Sequence, residues 1–131
     1  MSLWTHVAGL IRIDDLHVYG LPVKDSIEDC FIANTWHKPN ENGNLPTGSE
    51  GSLDVEIIRR KHDGQEYMVT VALWGDLRSY GNKEAETIKD WWKKIPEKLG
   101  NGRLIRQAVL EVNCEEGLEY TLTEKDMDLK E

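Results

Sequence analysis

Cysteine is nearly absent from this chain: two in 131 residues, Cys30 and Cys114, far apart and without a CxxC or CxxH companion. That excludes a disulfide scaffold and a zinc ribbon, and both thiols are expected reduced, in or near the core. Long apolar runs are missing too; none approaches the roughly 18 residues a membrane-spanning helix needs, so no membrane association is expected. Glycine (11) and proline (4) are too few for a collagen-like or low-complexity chain.

The equipment of bond-making is equally thin. His6, His17, His37 and His62 stand singly, with no i, i+4 pair and no Cys or Asp at ligand spacing, so no metal site is expected. There is no GxSxG, no SxxK and no Cys beside a His. Thr47-Gly48-Ser49-Glu50-Gly51 has glycines but not the Gly-Lys-Ser/Thr of a phosphate loop, and a strand follows it where such a loop needs a helix. It reads as a glycine-permitted turn ahead of Leu53. No cofactor and no catalytic residue are expected.

What is present is an ordinary balance for one domain, 39% hydrophobic and 31% charged, with a net charge of -8 that argues against broad nucleic-acid binding. The charge is segregated. Residues 1–58 and 107–131 each carry -6, whereas 59–81 carry +1 and 82–106 carry +3. Positive groups therefore gather on one hairpin and one helix, where a local anion site can form.

Residues 4–13 are β-rich, with Val7, Ile11 and Ile13 on one face and Trp4, His6, Ala8 and Leu10 on the other, which predicts a central strand covered on both sides. His6, alternating with apolar neighbours, reads as a core histidine bonded to a backbone group. Pro22 to Phe31 fits a short helix, with Ile27, Cys30 and Phe31 at helical spacing. Residues 33–52 lack apolar periodicity, and a loop of about twenty residues in a small domain is a place to look for function. Leu53–Lys61 and Tyr67–Trp74 alternate around Asp63-Gly64, the signature of a β-hairpin. Asn82 is placed as the cap of a helix with Ala85, Ile88, Trp91, Trp92 and Ile95 on its apolar side, ended by Pro96. Leu104–Cys114 and Leu118–Thr123 follow as strands, and the acidic tail 124–131 is expected to be flexible.

The order implies an α+β fold: a ferredoxin-like βαββαβ antiparallel sheet with two helices on one face and an added C-terminal strand, one domain over residues 1–123. Apolar residues on both faces of the first strand predict a homodimer or higher oligomer.

Five tryptophans are many for this size. Trp36 and Trp74 are not needed by the predicted core, and because adjacent helical residues point about 100° apart, one of Trp91 and Trp92 is expected to be partly exposed. Arg12, Arg59 and Arg106 lie within predicted strands, where a guanidinium can fork onto a phosphate or pair internally with a carboxylate such as Glu111 or Asp54. His37, beside Trp36 in the long loop, is the histidine whose context points outward. The expected ligand-binding set is Trp36, His37, Trp74, Arg12, Arg59 and Arg106. Trp92 with Glu50 and Asp76, the last two beside Gly51 and Gly75, form an expected partner surface.

Trp4-Thr5-His6-Val7-Ala8-Gly9, Gly48-Ser49-Glu50-Gly51-Ser52-Leu53 and Trp74-Gly75-Asp76-Leu77-Arg78 together resemble a group of small proteins encoded by tailed bacteriophages. The resemblance carries no catalytic residues. It implies a small acidic protein that counters host immunity in the bacterial cytoplasm, an expectation supported by the lack of a secretory signal in MSLWTHVAGLIRID. The expected function is a non-enzymatic binding protein capturing either a host immune protein, by acidic mimicry of DNA, or a nucleotide second messenger, as a sponge. The alternatives are a small hydrolase or isomerase using His37 or His6 with Glu50, and a structural or accessory phage protein.

Overall fold

Alternation of apolar and polar residues builds the sheet first. In the computed structural model, which describes residues 2–16, 26–32, 45–62 and 65–129, β1 (Trp4–Asp15) buries its odd-numbered side chains Thr5, Val7, Ile11 and Ile13 and turns the even ones outward. A 3-10 turn over Glu28–Phe31 follows, then a miniature hairpin of β2 (Thr47–Gly48) and β3 (Gly51–Ser52), then β4 (Asp54–His62) and β5 (Gln65–Arg78). Helices α1 (Asn82–Lys93) and α2 (Ile95–Leu99) precede β6 (Arg103–Cys114) and β7 (Glu119–Thr123). The large sheet is antiparallel throughout, in the order β4-β5-β1-β6-β7.

The expected α+β class is therefore observed, with a five-stranded antiparallel sheet and two helices among the described residues. The described helices follow one another after β5, and residues 26–31, the described part of the segment expected as a first helix, contain the 3-10 turn, with Ile27, Cys30 and Phe31 buried. The hairpin closes at His62↔Gln65, as the Asp-Gly signal requires, and residues 63–64 lie outside the described residues.

One face of the sheet carries the core. Val7, Ile11, Val71, Leu73, Leu110 and Val112 pack under Ala85, Ile88, Trp92 and Ile95 of the helices, and Cys30 and Cys114 are buried and form no disulfide with each other. Gly9 sits where β1 passes β6 so closely that a Cβ would stand 2.4 Å from the carbonyl oxygen of Val109, so no larger residue fits there. Gly81, not Asn82, is the N-cap of α1; its N–H donates to Glu84 Oε2 at 3.1 Å, and the Asn82 N–H donates to Glu116 Oε1 at 2.9 Å. Asn82 instead accepts from the Leu118 N–H at 2.9 Å, tying the helix start to the approach to β7. Pro96 begins α2, where a missing N–H costs nothing.

Two expectations fail here for one reason. Neither Trp91 nor Trp92 is exposed, and Trp92 is fully buried, so it is not a partner-surface residue. The chain after β7 supplies the extra cover. Trp92 Nε1 donates to the Thr123 carbonyl at 2.9 Å, Met127 is buried, and the Asp128 N–H donates to the Lys93 carbonyl at 3.0 Å. The tail expected to be loose from residue 124 is thus docked through these contacts, with Thr123 capping a 3-10 turn over Glu124–Asp126.

Candidate functional site

The other face of the sheet has no helix over it among the described residues. Six of the eight exposed large hydrophobic side chains lie on it: Leu10, Ile58, Met68, Trp74, Leu104 and Val109. The first strand is central, as expected, but its even-numbered side is open in the single chain.

Register arranges this face in rows across the strands. At one end stand Asp76, His6, Asn113 and Glu119, then Asp54, Trp74, Ala8, Glu111 and Thr121. The middle row is Glu56, Ala72, Leu10, Val109 and Thr123. Ile58, Thr70, Arg12 and Gln107 come next, and Arg60, Met68, Asp14 and Leu104 form the far end. A bulge between Arg12 and Ile13 leaves Arg106 as the extra residue on β6 and adds its guanidinium to that end. The face is thus bipolar, acidic at one end and basic at the other.

At the basic end, Arg12, Arg60 and Arg106 line a hollow of about 840 Å³ with Met68, Thr70, Gln107 and Glu124. Arg106 Nη1 donates to Asp14 Oδ2 at 2.9 Å. Arg12 and Arg60 are exposed and have no hydrogen bond or ion pair among the described residues. A second hollow of about 440 Å³, also lined by Arg12 and Gln107, continues along the face toward Leu10, Val109 and Lys125.

At the acidic end, His6 Nδ1 lies 2.6 Å from Asp76 Oδ1 and Nε2 lies 3.1 Å from Glu115 Oε2. His6 is therefore an exposed clamp across β1, β5 and the end of β6, not a core histidine. Hydrogen bonding to Asp76, and then to Glu115, holds its pKa above the ordinary 6.5, against a smaller opposing effect of burial. Carboxylates at both ring nitrogens favour the charged form of the ring.

A folded-state pKa above the unfolded value means that the stability contributed by this clamp is complete below about 6.5 and is lost as pH rises through the raised pKa. The expected outcome is a wild-type melting temperature that declines, as pH rises above 6.5 through that raised pKa, more steeply than that of His6→Gln, by a small margin because solvent screens the pair. Thermal melts of both proteins across that range check it; parallel curves would remove the clamp.

The remaining expected site residues are dispersed. Arg59 shares the Val55 and Ile57 side of β4 and is ion-paired with Glu28, so it does not join Arg12 and Arg106; Arg60, which alternation sends to the opposite face, takes its place. Glu50 is ion-paired with Arg78 Nη1 beside the β2–β3 hairpin, not placed near His6. Gly48 permits that hairpin to lie against β5, where a Cβ would stand 2.7 Å from the Arg78 carbonyl oxygen. Trp74 is on the open face, 43% exposed, but one row and a neighbouring strand away from Leu10 and two rows from Arg12. Asp76 is on the face as expected, engaged by His6. Trp36, His37 and His17 lie outside the described residues. Among the described residues no group of three His, Cys, Asp or Glu side chains can hold a metal ion.

No family model, curated protein or solved structure matches this chain. The open face and its arginine end are thus the observations from which function is argued.

Proposed function

We propose that this chain is a non-enzymatic binding protein that captures a phosphate-bearing ligand of the nucleotide class at the arginine end of its open sheet face. The observation that carries the reading is a pair of exposed guanidiniums, Arg12 and Arg60, without partners among the described residues, sharing one hollow with Arg106. Three guanidiniums converging from three strands suit a phosphate group, because each presents a planar fork of donors and none can lose its charge near neutrality. Met68 and Thr70 offer an apolar wall and a hydroxyl for the rest of such a ligand.

Capture without turnover is supported by the state of the nearby titratable groups. His6 is occupied on both nitrogens at the opposite end of the face, and Glu50 is engaged by Arg78 elsewhere. The nucleotide branch is favoured over DNA mimicry because the same face that carries the carboxylates also carries three arginines, which a phosphate-like surface would not. The resemblance to small tailed-bacteriophage proteins supports the biological setting: a phage-encoded antagonist acting as a sponge for a nucleotide-derived immune signal in the bacterial cytoplasm. We also read the fold as a variant of the ferredoxin-like arrangement, extended by β7 and with the 3-10 turn standing where its first helix would be; β1 lying between β5 and β6 supports this.

Calorimetric titration with a panel of linear, cyclic and dinucleotides at about 0.1 mM protein tests the reading, since a useful sponge must bind well below that concentration. Heat with at least one member, and recovery of that ligand intact after the protein is denatured, is expected. Silence across the panel, or a converted ligand, would overturn it.

A further inference from the structure

We infer that the open face is covered by a second copy of this chain, related by a two-fold axis that runs across the strands near Leu10, so that Trp74 of the partner subunit completes the arginine hollow. Three observations lead there. The first is the patch: Leu10, Val109, Trp74, Ile58, Met68 and Leu104 are large apolar side chains left exposed on one side of a sheet whose other side is covered.

The second is extent. Outward residues on a strand recur about every 6.8 Å and strands lie about 4.8 Å apart, so five rows of four or five residues present about 700 Å² per copy. Two copies together bury about 1,400 Å², within the range of specific interfaces and above that of casual contacts.

The third is charge, and it selects the axis. The basic end carries Arg12, Arg60 and Arg106 against Asp14 and Glu124, and the acidic end carries Asp54, Asp76, Glu111, Glu115 and Glu119. A two-fold axis along the strands would lay each end on its own copy, like charge on like. An axis across the strands reverses the rows and lays the basic end over the acidic one, while each strand still faces its own counterpart.

The row order then fixes the partners. With the axis at the Leu10 row, the Arg12–Thr70 row faces the Ala8–Trp74 row. Trp74 of the partner subunit therefore lies over Thr70, beside Arg12, whereas within one chain Trp74 and Thr70 are two rows apart. An aromatic plane is thus brought to the phosphate-binding end, where a base can stack. The role given to Trp74 rests on the ligand reading above; the two-fold itself does not.

The test uses the unliganded protein and a short bis-maleimide, with the buried native thiols silent in the wild type. Sedimentation is expected to show a dimer, and Leu10→Cys, next to the axis, is expected to be joined covalently to its own copy. Ala8→Cys and His6→Cys are expected to remain unjoined, because the axis carries their copies roughly 14 and 27 Å away along the strands. A monomeric wild type, or failure to join Leu10→Cys, overturns the dimer; joining of Ala8→Cys or His6→Cys overturns the axis. A nucleotide panel that gives no heat alongside the expected crosslinks would instead sink the ligand reading alone.

Discussion

Replacing Trp92 with alanine is expected to lower the unfolding free energy by about 3–5 kcal/mol, the cost of deleting a large aromatic from a packed interior. For a domain of this size that is a large share of the total, on the order of 5–15 kcal/mol, and corresponds to a fall in melting temperature of about 10–20 °C. The indole is fully buried between α1 and the chain that follows β7, and its N–H satisfies the Thr123 carbonyl at 2.9 Å. Removing it leaves a void and loses that bond, and the turn holding Met127 loses its support. Trp92→Phe, which keeps most of the apolar area, isolates the hydrogen bond and is expected to cost about 1–3 kcal/mol. Trp74→Ala, on the open face, is the control and is expected to leave the urea midpoint of the monomer unit nearly unchanged. If Trp92→Ala costs no more than Trp74→Ala, the docked tail described here is wrong.

The contrast between these two tryptophans shows where sequence patterning stops. Helical spacing identifies the apolar side of α1, but the roughly 100° between adjacent helical residues suggests an exposed tryptophan where both Trp91 and Trp92 are buried. What it cannot supply is the second wall, because that wall is built by residues 31 positions away, in a tail whose composition is almost wholly charged. Met127 and Leu129 are the two apolar residues amid Glu, Lys and Asp, and of them Met127 is the one buried. The strands are legible for the opposite reason: a period of two records which side chains are covered, and in β1, β5 and β6 the buried residues follow it.

The candidate site was half legible by the same logic. Alternation assigns Arg59 to the side of Val55 and Ile57, the covered side, and Arg60 to the other; grouping Arg60 with Arg12 needs only the step of asking which face is open. That step depends on helix placement and on the register Arg60↔Met68 and Asp14↔Met68, both long-range facts. His6 fails for want of the same information. Its partners lie 70 and 109 residues away, at Asp76 and Glu115, so its apolar neighbours in sequence suggest a core position that the sheet does not give it.

The ligand reading makes its strongest demand on Arg12 and Arg60 together. Charge-assisted hydrogen bonds contribute about 1.5–3 kcal/mol each, so a double Arg12→Ala, Arg60→Ala variant is expected to lose about 10²- to 10⁴-fold in affinity for whichever nucleotide the panel identifies. The stability of the single folded chain is expected to change little, within about 0.5 kcal/mol, because both side chains are exposed in it and form no ion pair among the described residues, whereas the dimer, whose basic end they supply, is expected to weaken. Arg106→Ala is expected to weaken binding less than either partner's removal, since its guanidinium already serves Asp14 and must be drawn from it. Arg12→Lys keeps the charge but not the fork, so a loss intermediate between wild type and Arg12→Ala separates bidentate recognition from simple attraction. Arg59→Ala, on the opposite face with Glu28, is expected to bind as the wild type does. Titration of the wild type and these variants, with Arg12→Ala and Arg60→Ala also made singly, under one salt condition decides the matter: equal affinities for the wild type and the double variant would remove the arginine end from the site, and a loss in Arg59→Ala as large as in the double variant would show that net charge alone governs binding.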